Sequence, residues 1–224
     1  VADTTVGLHI EGCLFSHAEE DALVSALGQG AEDAYEILIQ RYQQPVYSLV
    51  CRLMNDPSDA PDIVQEVFLK VFRSIGGFRG NSSLKTWIYR IAVNEAYNHR
   101  RWFCRHQRQE VAIGSEEGAP HHADTMTDPG RSPFEQAADH ETRALVERAL
   151  EGLNPKFRAA VVLRDIEDLS YEDIATVLNV SLGTVKSRIM RGREALRKNL
   201  EGRLEPGRLE PGADVRWSSE PVTE

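Results

Sequence analysis

At 224 residues and 25.1 kDa, with 41% apolar and 27% charged residues, the chain has room for one large globular domain or two small ones, which excludes fibrous and wholly disordered classes. No run of about 18 apolar residues occurs and Val1 to Glu20 is acidic, so neither a membrane span nor a secretory leader is expected, and the expected location is the cytoplasm. The net charge of -9 argues against a nucleic-acid partner until its distribution is read: acidic residues fill the head, and two basic patches stand farther along.

Aromatic residues make up only 7% of the chain and Gly and Pro collect between apolar-periodic stretches, so the predicted fold class is all-α. Residues 1–30 carry no Lys or Arg and read as an acidic N-terminal extension. From Ala31, the apolar positions Tyr35, Leu38, Tyr42, Val46, Leu49, Val50 and Leu53 follow helical spacing, with Pro45 expected to kink or divide the helix. After the break at Asn55 to Ser58, Pro61 opens a second helix whose Ile63, Val64, Val67, Phe68, Val71, Phe72 and Ile75 form a broad apolar face, ended by Gly76 and Gly77. Phe78 to Ser83 is a predicted loop, and a third helix runs from about Leu84 past Arg101. These elements make a first helical domain over 31–108.

Residues 109–139 lose periodicity and are rich in Gly, Pro and acidic residues, which predicts a flexible acidic linker. Helical patterning resumes over 140–200 as a second, smaller domain. The tail 201–224, with its tandem Gly-Arg-Leu-Glu-Pro, has no apolar face and reads as disordered.

The sharpest local signal lies in the second domain. Ser170 with Asp173 forms a capping box for a short helix with Ile174, Ala175 and Leu178 inward, Asn179-Val180 makes a turn, and Ser181 caps a following helix that keeps Val185, Ile189 and Leu196 in the core. Thr184, Lys186, Ser187, Met190, Arg191 and Arg193 are left outward. This is a helix-turn-helix, whose second helix presents Lys, Arg, Ser and Thr to base edges in a major groove; an ordinary helical hairpin with a basic outer face is the competing reading. In the first domain, Arg90, Asn94, Tyr97 and Arg101 form one polar stripe, with Trp87 and Tyr89 before it and Trp102 and Phe103 after it, so that planar side chains alternate with charge as in single-strand binders.

Asp62-Ile63-Val64-Gln65-Glu66-Val67-Phe68, then Phe78-Arg79-Gly80, Thr86-Trp87-Ile88-Tyr89-Arg90-Ile91-Ala92-Val93-Asn94, Leu169 to Ala175, and Gly183-Thr184-Val185-Lys186-Ser187-Arg188 together resemble a bacterial sigma factor of the extracytoplasmic-function group, over roughly Glu32 to Leu200. The resemblance implies a non-catalytic specificity subunit that binds core RNA polymerase through its beta-prime and beta subunits and directs promoter-specific initiation. The first domain would dock on polymerase and read the melted minus-ten element; the second would read the minus-thirty-five element as duplex. Matched by position, Asp62, Gln65, Glu66 and Arg73 are the polymerase-binding residues. Arg79, Asn81, Ser82, Ser83, Lys85, Trp87, Arg90, Asn94, Tyr97 and Arg101 are the minus-ten residues, the loop among them supplying amide and hydroxyl groups for a flipped base. Arg164, Thr184, Lys186, Ser187, Arg188, Met190 and Arg191 are the minus-thirty-five residues. An anti-sigma factor is an implied partner, and the free chain is expected to be a monomer.

Neither motif nor resemblance implies a cofactor or metal: His99, Cys104 and His106 share no helix face and lack a fourth ligand. Cys13, Cys51 and Cys104 are too few and scattered for a disulfide framework. A stand-alone helix-turn-helix regulator with an N-terminal sensing domain would explain Ser170 to Arg193 but not the Asp62 to Asn94 block. An enzyme with a DNA-binding tail lacks any phosphate loop or activated nucleophile in the sequence.

Overall fold

The computed structural model describes residues 17–54, 56–106 and 133–201, and among them every regular element is helical. Part of the expected acidic extension 1–30 is structured. Residues 17–28 form α1 (His17–Gly28), which buries Leu23 and Leu27 against the first domain, and its Glu20 carboxylate accepts the backbone N–H of Leu84. Their apolar content, two leucines one turn apart, was masked by the surrounding acidic residues. Gly30 at φ 78° makes the turn that follows, a conformation that favours glycine.

α2 (Glu32–Leu53) runs through Pro45 without division. The proline removes one N–H donor, while Leu38, Tyr42, Val46, Leu49, Val50 and Leu53 continue a single buried stripe across it, and that packing outweighs the lost bond. Asp56 accepts the N–H of Ser58 at 2.9 Å and a short 3-10 turn leads into α3 (Ala60–Ser74), with Pro61 in its first turn. α4 (Leu84–His106) follows the loop, its start capped by the Ser83 hydroxyl, which accepts the N–H of Thr86 at 3.1 Å.

In the second half, α5 (Pro133–Glu151) begins inside the segment expected to be linker, so residues 133–139 are helical. The rest of that linker to residue 132, together with 1–16 and the tail from 202, lies outside the described residues. α6 (Pro155–Val161), capped by Asn154, passes through a π-helical turn at Val162–Ile166 to α7 (Tyr171–Leu178) and α8 (Leu182–Leu200).

The halves are packed together. α4 lies against α7 and α2 against α6, and one apolar cluster runs from Leu38, Val46 and Ile88 into Ala159, Leu163 and Ile174.

Candidate nucleic-acid interface

The helix-turn-helix is built as its residues require. Ser170 accepts the N–H of Asp173 at 3.0 Å and donates to its carboxylate at 2.6 Å. Ile174 and Val177 are buried; Asn179 at φ 51° takes the left-handed turn. Ser181 accepts the N–H of Thr184 at 3.3 Å, opening α8. Val185, Ile189 and Gly192 face the core, where a Cβ on Gly192 would stand 2.5 Å from Val161. Lys186, Met190 and Arg191 are therefore exposed, Met190 to 66%.

Other members of the expected set are more restrained. Thr184, Ser187 and Arg188 are half-buried, and Ser187 donates to the Thr184 carbonyl at 3.0 Å. Arg193 forms a forked pair with Asp165 at 2.5 and 3.1 Å, which raises its guanidinium pKa. Arg164 donates to the Leu169 carbonyl at 2.8 Å and lies over the Tyr171 ring, bracing the corner before α7.

On α4, Arg90, Asn94 and Arg101 are exposed as one stripe, and Arg79 and Asn81 are exposed in the preceding loop, where Gly80 at φ 68° makes the bend. Ser82 is half-buried, and Ser83 is exposed but committed to its cap. The aromatic interleaving is corrected in part. Trp102 is 52% exposed, but Trp87 is half-buried with its ring centroid 5.3 Å from that of Phe78, and Tyr89 is fully buried, its phenol donating to Glu167 at 2.6 Å. Two expected minus-ten residues reach the second half: Lys85 donates to the Glu167 carbonyl at 3.0 Å and Tyr97 to the Pro155 carbonyl at 3.2 Å.

On α3, Asp62, Gln65 and Arg73 are exposed; Glu66 is half-buried and 3.7 Å from Lys70, which in turn lies 2.5 Å from Glu95 of α4. Beside Gln65, an open groove of about 610 Å³ is lined by Ile39, Tyr47, Val64, Phe68 and Leu69 among others.

Sequence reasoning missed the contacts between halves. Glu167 lies 3.7 Å from Arg52 as well as bonding Tyr89, and Thr86 donates to Asp173 at 2.9 Å. Arg158, only 1% exposed, donates to the carbonyls of Leu53 and Met54 at 3.4 and 3.0 Å and to that of Glu151, and burial followed by the charge of Arg100 lowers its pKa. Its one signal in the sequence is a charge inside the apolar run Phe157 to Leu163.

His99 sits 3.6 Å from Asp59, and no metal-ligating group of three is found among the described residues; the side chains of Cys104 and His106 lie outside them, as does Cys13. Burial pushes the Cys51 thiol pKa up, which makes it a poor nucleophile. No described helix is long and apolar enough to cross a membrane.

Two family descriptions match: Sigma-70 region 2 over residues 38–102 and Sigma-70, region 4 over residues 143–196. The RNA polymerase sigma-H factor of Pseudomonas aeruginosa is 36% identical over 189 residues, covering 84% of this chain and 97% of that protein. The ECF RNA polymerase sigma-E factor of Escherichia coli K12 is 36% identical over 178 residues, 79% of this chain and 92% of its own. Among solved structures, the sigma factor RpoE in complex with the anti-sigma factor NepR from Bartonella quintana aligns with a TM-score of 0.60 and 25% identity over 75% of this chain and 97% of that one. CnrH in complex with the cytosolic domain of CnrY shares the fold at a TM-score of 0.59 and 21% identity, over 81% of this chain and 97% of that one. The helix-turn-helix, the α3 and α4 motifs and these likenesses agree: the chain belongs to the extracytoplasmic-function group of the sigma-70 family of RNA polymerase sigma factors.

Proposed function

We propose that the chain is a non-catalytic specificity subunit that docks on core RNA polymerase through the outer face of α3, reads the minus-thirty-five element as duplex with α8, and reads the minus-ten element as melted single strand with α4 and the loop before it. The observation that carries this reading is the presence on one chain of a helix-turn-helix with Lys186, Met190 and Arg191 outward and a separate exposed Arg90–Asn94–Arg101 stripe. Duplex reading needs cationic side chains at the start of a helix that fits a major groove, and strand capture needs amide and guanidinium groups beside an open loop. Lys186 and Arg191 are assigned to base edges or flanking phosphates, Asn94 and Asn81 to the displaced strand.

On α3, Asp62, Gln65 and Glu66 are assigned to basic and polar groups of the beta-prime subunit, with the apolar groove beside Gln65 taking an apolar side chain of the same partner. The domains divide at the segment between α4 and α5. An anti-sigma factor is the expected regulator, since a structural relative of 25% identity was solved with one.

The packing of α7 on α4 adds an order of events. Lys85 and Tyr97 are held by the second half while Asp62 and Gln65 stand exposed, so docking on polymerase comes first and full exposure of the promoter-reading faces follows. Run-off transcription with purified core polymerase on promoters selected from genomic DNA tests the reading: the chain should confer initiation at discrete sites. Specific duplex footprints without polymerase and no polymerase-dependent initiation would replace it by the stand-alone regulator.

A further inference from the structure

α8 is seated on the rest of the second half by an apolar face. Val185, Ile189 and Gly192 are buried, and at Gly192 the helix comes to backbone distance from α6, where Phe157 and Val161 meet it. Apolar burial is non-directional, so it fixes the depth of a helix better than its rotation. With a helix radius of about 5 to 6 Å, a turn of about 20° about the axis carries a side-chain tip about 2 Å sideways, farther than a bidentate hydrogen bond to a base edge tolerates. A reading helix therefore needs a directional tie as well.

Arg193, the neighbour of Gly192, makes such a tie. It donates through Nε and Nη2 to the two carboxylate oxygens of Asp165 at 3.1 and 2.5 Å, across 28 positions of the chain. Ion pairs farther along α8, Arg197 with Glu194 and Glu201 and Lys198 with Glu194, stay within the end of the helix. Asp165 sits in the π-helical turn Val162–Ile166, whose wider coil re-aims the residues that follow α6. Arg164 braces the same turn by donating to the Leu169 carbonyl at 2.8 Å. Glu167, just beyond, bonds Tyr89 of the first half, whereas the Asp165–Arg193 pair needs nothing from the first half.

Arg193 follows Lys186 by seven positions and Met190 by three, so its Cα lies on the side of α8 that carries exposed residues. Its guanidinium nonetheless turns to Asp165, the two side chains being 31% and 22% exposed, and the paired carboxylate offsets the charge that a phosphate contact would use. We propose that Arg193 and Asp165 are positioning residues for minus-thirty-five recognition: their fork sets the rotation of α8, and with it the base register of Lys186 and Arg191, without touching DNA. A planar guanidinium held by both oxygens of one carboxylate has a fixed orientation, which a single hydrogen bond would not give. The inference rests on the reading of α8 as the helix that reads duplex.

The test uses holoenzyme assembled with the full chain. Initiation and binding are measured on a promoter from the genomic selection and on its single base-pair variants in the minus-thirty-five element. The parent should discriminate among them, and Arg193→Ala and Asp165→Asn should each cut that discrimination by about 5-fold or more. The double variant should lose no more than either single one, because both break the same fork. The two substitutions also separate positioning from contact. Were Arg193 a phosphate ligand, Asp165→Asn would free its charge, tighten binding to all sequences alike and steepen the salt dependence by up to about one unit; that result overturns the proposal. Additive losses overturn it, as does a fall in initiation by one common factor on every promoter, the pattern of a merely structural pair. Variants that discriminate as well as the parent overturn it too. A parent that initiates at discrete sites yet ignores minus-thirty-five changes removes the duplex-reading assignment, and the proposal with it, before any variant is compared.

Discussion

Glu167 and Tyr89, 78 residues apart in the chain, share a 2.6 Å hydrogen bond in which the phenol of α4 donates to a carboxylate of the second half that is itself 3.7 Å from Arg52. Tyr89 is fully buried and the Glu167 side chain only 10% exposed, so the bond is shielded from water. Glu167→Ala should weaken the packing of the halves by about 2 kcal/mol, the range for a hydrogen bond to a charged group. Hydrogen exchange over α4 should quicken by about 30-fold where opening of the halves governs it. Unchanged protection of α4 would show that the apolar contacts alone hold the halves together.

Burial, followed by the neighbouring Glu167 carboxylate, pushes the Tyr89 phenol far above the ordinary tyrosine range, and Tyr42 and Tyr97 are raised chiefly by burial. An unfolded tyrosine loses its proton near pH 10, whereas the folded one keeps it. The contribution is fully present below about pH 10 and is lost as pH rises toward the raised folded values. Urea unfolding should therefore show stability falling above pH 10 with a slope approaching about 1.4 kcal/mol per pH unit for each such tyrosine. Tyr89→Phe should flatten that slope. If tyrosinate absorbance equivalent to more than three of the six tyrosines grows before the fold is lost, burial of these phenols is wrong.

Gly192 is where α8 crosses α6 at backbone distance. A methyl group there would meet Val161 Cγ2 at 2.5 Å and the Phe157 carbonyl at 3.2 Å. Gly192→Ala should cost about 1 to 3 kcal/mol through overpacking, despite the gain in helix propensity. Chemical denaturation decides it, and a more stable variant would mean that α6 and α8 shift apart freely.

Alanine at Lys186 or Arg191 should cost about 1 to 3 kcal/mol in promoter binding for whichever side chain reads a base, with relaxed preference at one upstream position; a phosphate contact would weaken all sequences alike and lower the salt slope. Asn94→Ala should act later, lowering permanganate reactivity of the melted region more than duplex binding. Equal losses in both assays would contradict the division of labour between α8 and α4.

Charge reversal of Asp62 together with Glu66 should reduce holoenzyme formation in competition with another sigma factor while leaving the melting temperature within about 2 °C, since surface substitutions away from buried features change stability little. Glu66 has a local partner in Lys70, so Asp62→Lys alone should carry most of the loss. Undiminished assembly by the double variant removes α3 from the interface.

The helix-turn-helix was legible because each of its parts is local: Ser170 caps within three residues, Asn179 turns the chain alone, and Val185 and Ile189 repeat at one helical turn. The α3 face and the Arg90–Asn94 stripe were legible for the same reason. α1 was not, because Leu23 and Leu27 are two apolar residues in an acidic stretch and find their partners only in the folded bundle. Tyr89 looked like part of an open aromatic surface since helical spacing says which residues share a face but not what covers that face. Arg158, Glu167 and Asp173 meet partners some 78 to 105 residues away, and no period or motif records such pairings.

Arg158 also fixes what separation of the halves does to the first half alone. The Leu53 and Met54 carbonyls at the end of α2 are met by an arginine from α6, just before the Asp56–Asp59 turn that launches α3. Withdrawal of α6 returns those carbonyls to water and loosens the last turn of α2, next to the helix that carries Asp62. The stiffness of that junction is thus lent by the other half of the protein, and by thermodynamic reciprocity any partner that binds more tightly to one state of the junction shifts the balance between packed and separated halves by the same free energy.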